Sequence, residues 1–235
     1  MKINKLVVTG CSWCWGPYDY CGGERTRKSD YLSHLDRDND LLFTRKDAPN
    51  YSFGAVLAKK LDVEFVNLAT AGASNMSQLF KLWSHEVIKQ NNLSNTLVIH
   101  GLTEPSRTLV CKNGELANIK PDMLTPDAEF KKLYFTKYYT EEHRVQETFL
   151  ILDYLNGYLK NQNSKLLVFN SFSFRRKPHW NTVYPLRDYV YPNFHTWAEY
   201  INSYDDEIDI HKKLTHPNKN DHEIFANDLY TYLND

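Results

Sequence analysis

Four short apolar runs punctuate the chain: LVVTG (6–10), VEFVNL (63–68), TLVIHG (96–101) and KLLVFNS (165–171). The first, third and fourth are nearly continuous in apolar character, the pattern of strands buried on both faces of a parallel sheet. Between and after them the apolar positions recur at three- and four-residue steps. Tyr51–Leu61 aligns Phe53, Val56, Leu57 and Leu61. Asn75–Lys89 aligns Met76, Leu79, Leu82 and Val87. Glu141–Leu159 aligns Val145, Phe149, Leu152, Leu155 and Leu159, and Asp221–Leu233 aligns Ile224, Phe225, Leu229 and Leu233. Each stripe predicts a helix with one face on a core. Strand and helix in alternation predict an α/β layered domain with a parallel sheet.

Residues 17–50, 102–135 and 172–195 interrupt this rhythm. The first is rich in Asp, Arg, Gly and Tyr, and the other two carry Pro, Asn and aromatics. Read as loop insertions, they fall over one edge of the sheet, where loops at strand carboxyl ends surround a ligand crevice. No internal repeat or linker divides the chain, so a single domain over residues 1–235 is expected.

Composition narrows the function classes. The formal net charge is −1, with no basic excess to neutralise a phosphate backbone, so nucleic acid is not the expected partner. No apolar run approaches the ~20 residues of a membrane span, and the first run is shorter than the core of a signal peptide, roughly 7 residues at least. A soluble, cytoplasmic protein is expected. Four cysteines, at 11, 14, 21 and 111, are too few and too clustered for a disulfide scaffold. Sixteen tyrosines, twelve phenylalanines and five tryptophans exceed what a core of this size uses, so rings with polar tips are expected at the rim, where they suit sugars, peptides or a protein partner.

The residues that follow each strand carry the candidate chemistry. After the first strand comes Gly10-Cys11-Ser12-Trp13-Cys14-Trp15-Gly16. After the second comes NLATAGASN (67–75), with Gly72 and Asn75. After the third comes GLTEPSR (101–107), with Thr103, Glu104 and Arg107. Before the last helix comes His216-Pro217-Asn218. These blocks, in this order, resemble those of the SGNH (GDSL-type) hydrolase superfamily. Gly10-Cys11-Ser12 matches its Gly-Asp-Ser, with cysteine in the aspartate slot. Gly72 matches its turn glycine. Gly101-Leu102-Thr103-Glu104 matches its Gly-x-Asn-Asp with the asparagine replaced. His216-Pro217-Asn218 matches its His block, but Lys213 stands where the family has an aspartate.

The resemblance implies a three-layer α/β/α fold with a flavodoxin-like, doubly wound parallel sheet and long insertions at strand carboxyl ends. It implies a Ser12 nucleophile with His216 as its base, and an oxyanion hole from the backbone of Ser12 and Gly72, helped by Asn75. It implies no metal or organic cofactor, and a small-molecule or glycan ester as substrate. With Lys213 in the acid slot, Asp209 is a candidate to orient His216, and a backbone carbonyl is the alternative. Trp13, Thr103, Glu104 and Arg107 are candidate substrate contacts, and the aromatic loops a candidate protein-partner surface.

Other readings of the same residues are ordinary. Ser12 suits a turn, Asn75 suits a helix N-cap, and Glu104 and Arg107 can pair with each other. A metal site on Cys11, Cys14 and Cys21 with His211 or His216 lacks a second CxxC. A Cys11 nucleophile is a further option. Asp205, Asp206, Glu207 and Asp209 read most simply as a solvated acidic loop. The lost asparagine and aspartate also leave open a binding protein that kept the fold.

Overall fold

The computed structural model describes residues 2–11, 14, 16, 48–70, 72–85, 93–112, 115–119, 128–171, 187–192, 217 and 219–235. Ser12, Trp13, Asp209 and His216 lie outside the described residues, as do Cys21, His211 and nearly all of the 17–50 insertion.

Four parallel strands form the central sheet: β1 (Lys5–Gly10), β2 (Glu64–Asn67), β3 (Thr96–Leu102) and β6 (Lys165–Asn170), in the order β2-β1-β3-β6. The register aligns Leu6 with Phe65 and Leu97, Thr9 with His100, and Leu102 with Asn170. Every residue of β1 and β3 is buried, as their unbroken apolar character predicts. A fifth position is filled by a single parallel bridge between Val168 and Val190.

Alternation along the strands divides the core into two faces. Leu6, Val8, Leu97, Ile99, Leu167 and Phe169 pack on α1 (Phe53–Leu61) and the C-terminal helix α5 (Lys219–Asn234). Val7, Val98, Leu166 and Val168 pack on α2 (Asn75–Leu82) and α4 (Glu141–Asn161). Three layers result, with the strand order of a flavodoxin-like doubly wound sheet. The periodic residues of α4 are all buried. Ser52 caps α1, its Oγ accepting from Ala55 N at 3.2 Å.

The stretch 102–135, expected as loop, contains regular structure. An antiparallel hairpin of β4 (Thr108–Lys112) and β5 (Glu115–Ile119) is followed by α3 (Ala128–Leu133) and a π-helical turn, Tyr134–Tyr138. The hairpin strands are short and mixed in polarity, which hid them from a periodicity reading. The second helix is also shorter in its described part than expected, regular to Leu82.

Candidate active site

The carboxyl ends of β1, β2 and β3 are bound together by buried polar side chains from α2. Asn75, 3% exposed, donates from Nδ2 to Thr103 O at 3.1 Å and accepts at Oδ1 from Thr103 N at 2.8 Å. A single amide thus satisfies both backbone groups of the residue that leaves β3. One turn along the helix, the Gln78 amide sits 3.0 Å from the carbonyl oxygens of Gly10 and Leu68 and 3.3 Å from Thr9 Oγ1, its nitrogen turned toward the carbonyls. Gln78 therefore holds the ends of β1 and β2, and Thr70 N adds a bond to Gly10 O at 3.0 Å.

Helix α2 starts where the Gly72 turn requires. Gly72 has φ +75°, a backbone conformation that strains any L side chain, while the space a Cβ would take is open. Two residues on, Ser74 is the N-cap, accepting from Ser77 N at 3.2 Å. Its own hydroxyl and N–H donate to Asn118 Oδ1 at 2.8 and 3.1 Å, so the β4–β5 hairpin is pinned over this turn. The N-cap is Ser74 and not Asn75; Asn75 enters the helix as its first residue and is free of capping to reach Thr103.

The turn after β1 begins at Gly10. Cys14 N donates to Cys11 O at 3.0 Å. Cys11 and Cys14 are fully buried, and Cys14 Sγ lies 3.6 Å from Ser171 Oγ. Burial pushes the Cys14 thiol well above its ordinary pKa, so it is held protonated as a packing group. Gly101 makes this packing possible: a Cβ there would lie 2.2 Å from Cys14 Sγ and 2.6 Å from Ser171 Oγ. The glycine of the third block therefore serves as a close-approach residue between β3 and the turn after β1.

Thr103 is 1% exposed, and its Oγ1 has no hydrogen-bond partner among the described residues. Glu104 and Arg107 pair at 3.3 Å, with Arg107 N donating to Glu104 O at 3.0 Å in the same turn. Asn75, Gly72, Thr103, Glu104 and Arg107 are thus gathered at the carboxyl end of the sheet. His222, beside the His block, is buried and plays a structural part. Its Nδ1 accepts from Phe53 N at 3.0 Å, and its ring stacks on Phe53. Gln78 was missed in the sequence, although a polar residue three beyond Asn75 on an apolar helix face was the available signal. Asn118 left no such signal, because its hairpin was not recognised.

The sequence matches no protein-family model and no curated protein. Solved structures do match. A carbohydrate esterase, whose active site is described as displaying divergent catalytic and non-catalytic binding functions, superposes with a TM-score of 0.54 at 12% identity, over 98% of this chain and 68% of its own. A protein described as lipolytic and of the G-D-S-L family, from Desulfitobacterium hafniense DCB-2, superposes with a TM-score of 0.50 at 11% identity, over 97% of this chain and 98% of its own. This chain shares their fold. The resemblance read from the sequence blocks is borne out at that level. None of the helices among the described residues is long and apolar enough to cross a membrane.

Proposed function

We propose that the protein is a divergent SGNH-type hydrolase, a single domain over residues 1–235, that cleaves an ester, with O-acetyl groups on a carbohydrate as the substrate class. In this reading Ser12 Oγ attacks the ester carbonyl and His216 takes its proton. His216 then returns that proton to the departing alcohol, and a water activated by the same imidazole hydrolyses the acyl-enzyme. Backbone N–H groups of Ser12 and Gly72 hold the oxyanion, and the Thr103 hydroxyl stands in the slot of the missing asparagine. Such a donor contributes ~2.7–4 kcal/mol to the transition state, so a shorter arm implies a slow enzyme. Asp209 or a backbone carbonyl orients His216.

The supporting observation is the Asn75–Thr103 clamp, which joins the second block to the third at the strand ends, in a fold shared with esterase structures. It changes the role of Asn75. Its amide is engaged by the backbone of Thr103, so we assign it a positioning role, holding Thr103 in place, in addition to any donation to the oxyanion. The experiment is hydrolysis of p-nitrophenyl acetate and of an acetylated glycan by the wild-type protein and by Ser12→Ala. Turnover is expected in the first and a loss of at least ~1,000-fold in the second; turnover that survives the substitution refutes the reading. The same engagement of Asn75 favours, as the second reading, a binding protein without turnover. A fluorophosphonate that labels Ser12 separates the two, since a degenerate site stays unlabelled.

A further inference from the structure

The segment between α3 and α4 holds an unused pair of polar groups. Arg144 donates from Nη1 to Glu147 at 2.5 Å and from Nη2 to the Tyr134 hydroxyl, and its guanidinium lies over the Tyr134 ring, 5.8 Å from the centroid. Its Nε is buried with no partner among the described residues, and so is the hydroxyl of Tyr139. Buried polar groups are normally hydrogen-bonded, so two without a partner among the described residues, in one elbow, mark a place that a ligand can satisfy. They share one electrostatic neighbourhood: the charges of Glu141, Arg144 and Glu104 all act on the Tyr139 hydroxyl, which burial pushes above its ordinary pKa.

Rings surround this pair. Phe130 stacks on Tyr134 at 6.3 Å, Tyr134 meets Phe135 edge-on at 5.2 Å, and Phe135 meets Tyr139 at 5.2 Å. Tyr138 is 69% exposed. The two arginines here are already matched, Arg144 by Glu147 and Arg107 by Glu104, while the exposed Lys137 of the same elbow has no ion pair among the described residues. An anionic ligand would therefore meet no uncompensated positive charge from these two arginines. A neutral, hydroxyl-rich ligand fits better: its oxygens accept from Arg144 Nε and Tyr139, its hydroxyls donate to Glu104, and its C–H faces stack on exposed rings. The Glu104–Arg107 turn directly follows β3, so this elbow adjoins the candidate active site.

We infer that the aromatic elbow 134–144 is a binding subsite for a neutral oligosaccharide, with Tyr139 and Arg144 holding ring hydroxyls and Tyr138 offering a stacking face. Both polar atoms are closed to solvent in the unliganded structure, so binding includes a rotation of the half-buried Tyr139 ring that opens its hydroxyl and Arg144 Nε to the ligand. The inference deepens the carbohydrate-ester reading by naming where the glycan sits, and it rests on that reading for the link to catalysis.

The test is a titration of the wild-type protein and Tyr139→Phe with unesterified xylohexaose and cellohexaose, followed by NMR or calorimetry, alongside thermal melts. At least one hexaose is expected to bind, with affinity falling about 5- to 10-fold in Tyr139→Phe. The melting temperature is expected to stay level or rise, because the lost hydroxyl has no partner among the described residues. Equal affinity in the two proteins overturns the inference, as does failure of both hexaoses to bind the wild type. A weaker affinity with a lowered melting temperature overturns it too, since that marks a structural role. Hydrolysis of p-nitrophenyl acetate by the wild type reads the catalytic proposal separately. Glycan binding without hydrolysis removes the hydrolase and keeps the subsite, and hydrolysis without glycan binding does the reverse.

Discussion

The two faces of the sheet are packed by different rules. Toward α1 and α5 the core holds a cluster of rings among its aliphatic side chains: Phe169 lies 5.6 Å from Phe53 and 5.0 Å from Phe225, and the buried His222 has its Nδ1 satisfied by Phe53 N. Toward α2 and α4 the aliphatic core gives way, at the strand carboxyl ends, to Thr9, Asn75, Gln78, His100 and Thr103, all buried. On this face His100 finds no partner for either ring nitrogen among the described residues. The contrast separates a face that supplies stability from one that also shapes the candidate site. Polar groups that cost stability are concentrated where three strand ends must be held in a fixed relation.

The largest effect that would sharpen the comparison lies on the aromatic face. Phe169→Ala removes a side chain 2% exposed at the centre of the ring cluster. A loss of about 3–5 kcal/mol in unfolding free energy is expected by denaturant titration. A loss under ~1 kcal/mol would show that this face is not where stability resides.

On the other face, Asn75→Ala is expected to cost about 2–4 kcal/mol, because it leaves both the N–H and the C=O of Thr103 buried and unpaired. If the face also shapes the site, activity toward p-nitrophenyl acetate falls further than the unfolded fraction accounts for, with kcat reduced more than KM is raised. A kcat that tracks the folded fraction alone would make the clamp purely structural.

This division was partly legible in the sequence. The continuous apolar runs of β1 and β3 and the stripe of α4 announced themselves, because burial on two faces or on one helical side leaves a local pattern. The site was legible only as blocks at strand ends. Gly72 could be read as a turn glycine, and Glu104 with Arg107 as a pair, since these are local relations. The Asn75–Thr103 clamp could not be read, because it joins residues 28 apart across two elements. The role of Gly101 was hidden for the same reason: what it makes room for is Cys14, on a different strand end.

The smallest expected effect is a pH dependence that comes from His100. Its ring is fully buried, and burial lowers its pKa from an ordinary 6.5 to about 3. The folded protein therefore keeps this imidazole neutral under conditions in which the unfolded chain protonates it. Above pH ~6.5 neither state takes up the proton, and His100 adds no pH dependence. Between there and about pH 3 the unfolded state gains a proton that the folded state refuses, so stability falls as pH falls, by up to ~1.4 kcal/mol per unit. Between about pH 7.5 and 5.5 the contribution amounts to about 1.4 kcal/mol. Carboxylates titrate lower in the range as well, so the informative quantity is the difference between wild type and His100→Leu at each pH. Urea titrations should show the variant losing about 1.4 kcal/mol less than the wild type over that interval. Parallel losses in the two proteins would mean that His100 is charged or partnered in the fold, and the polar face would then resemble the aromatic one, where the buried histidine is held by a backbone N–H.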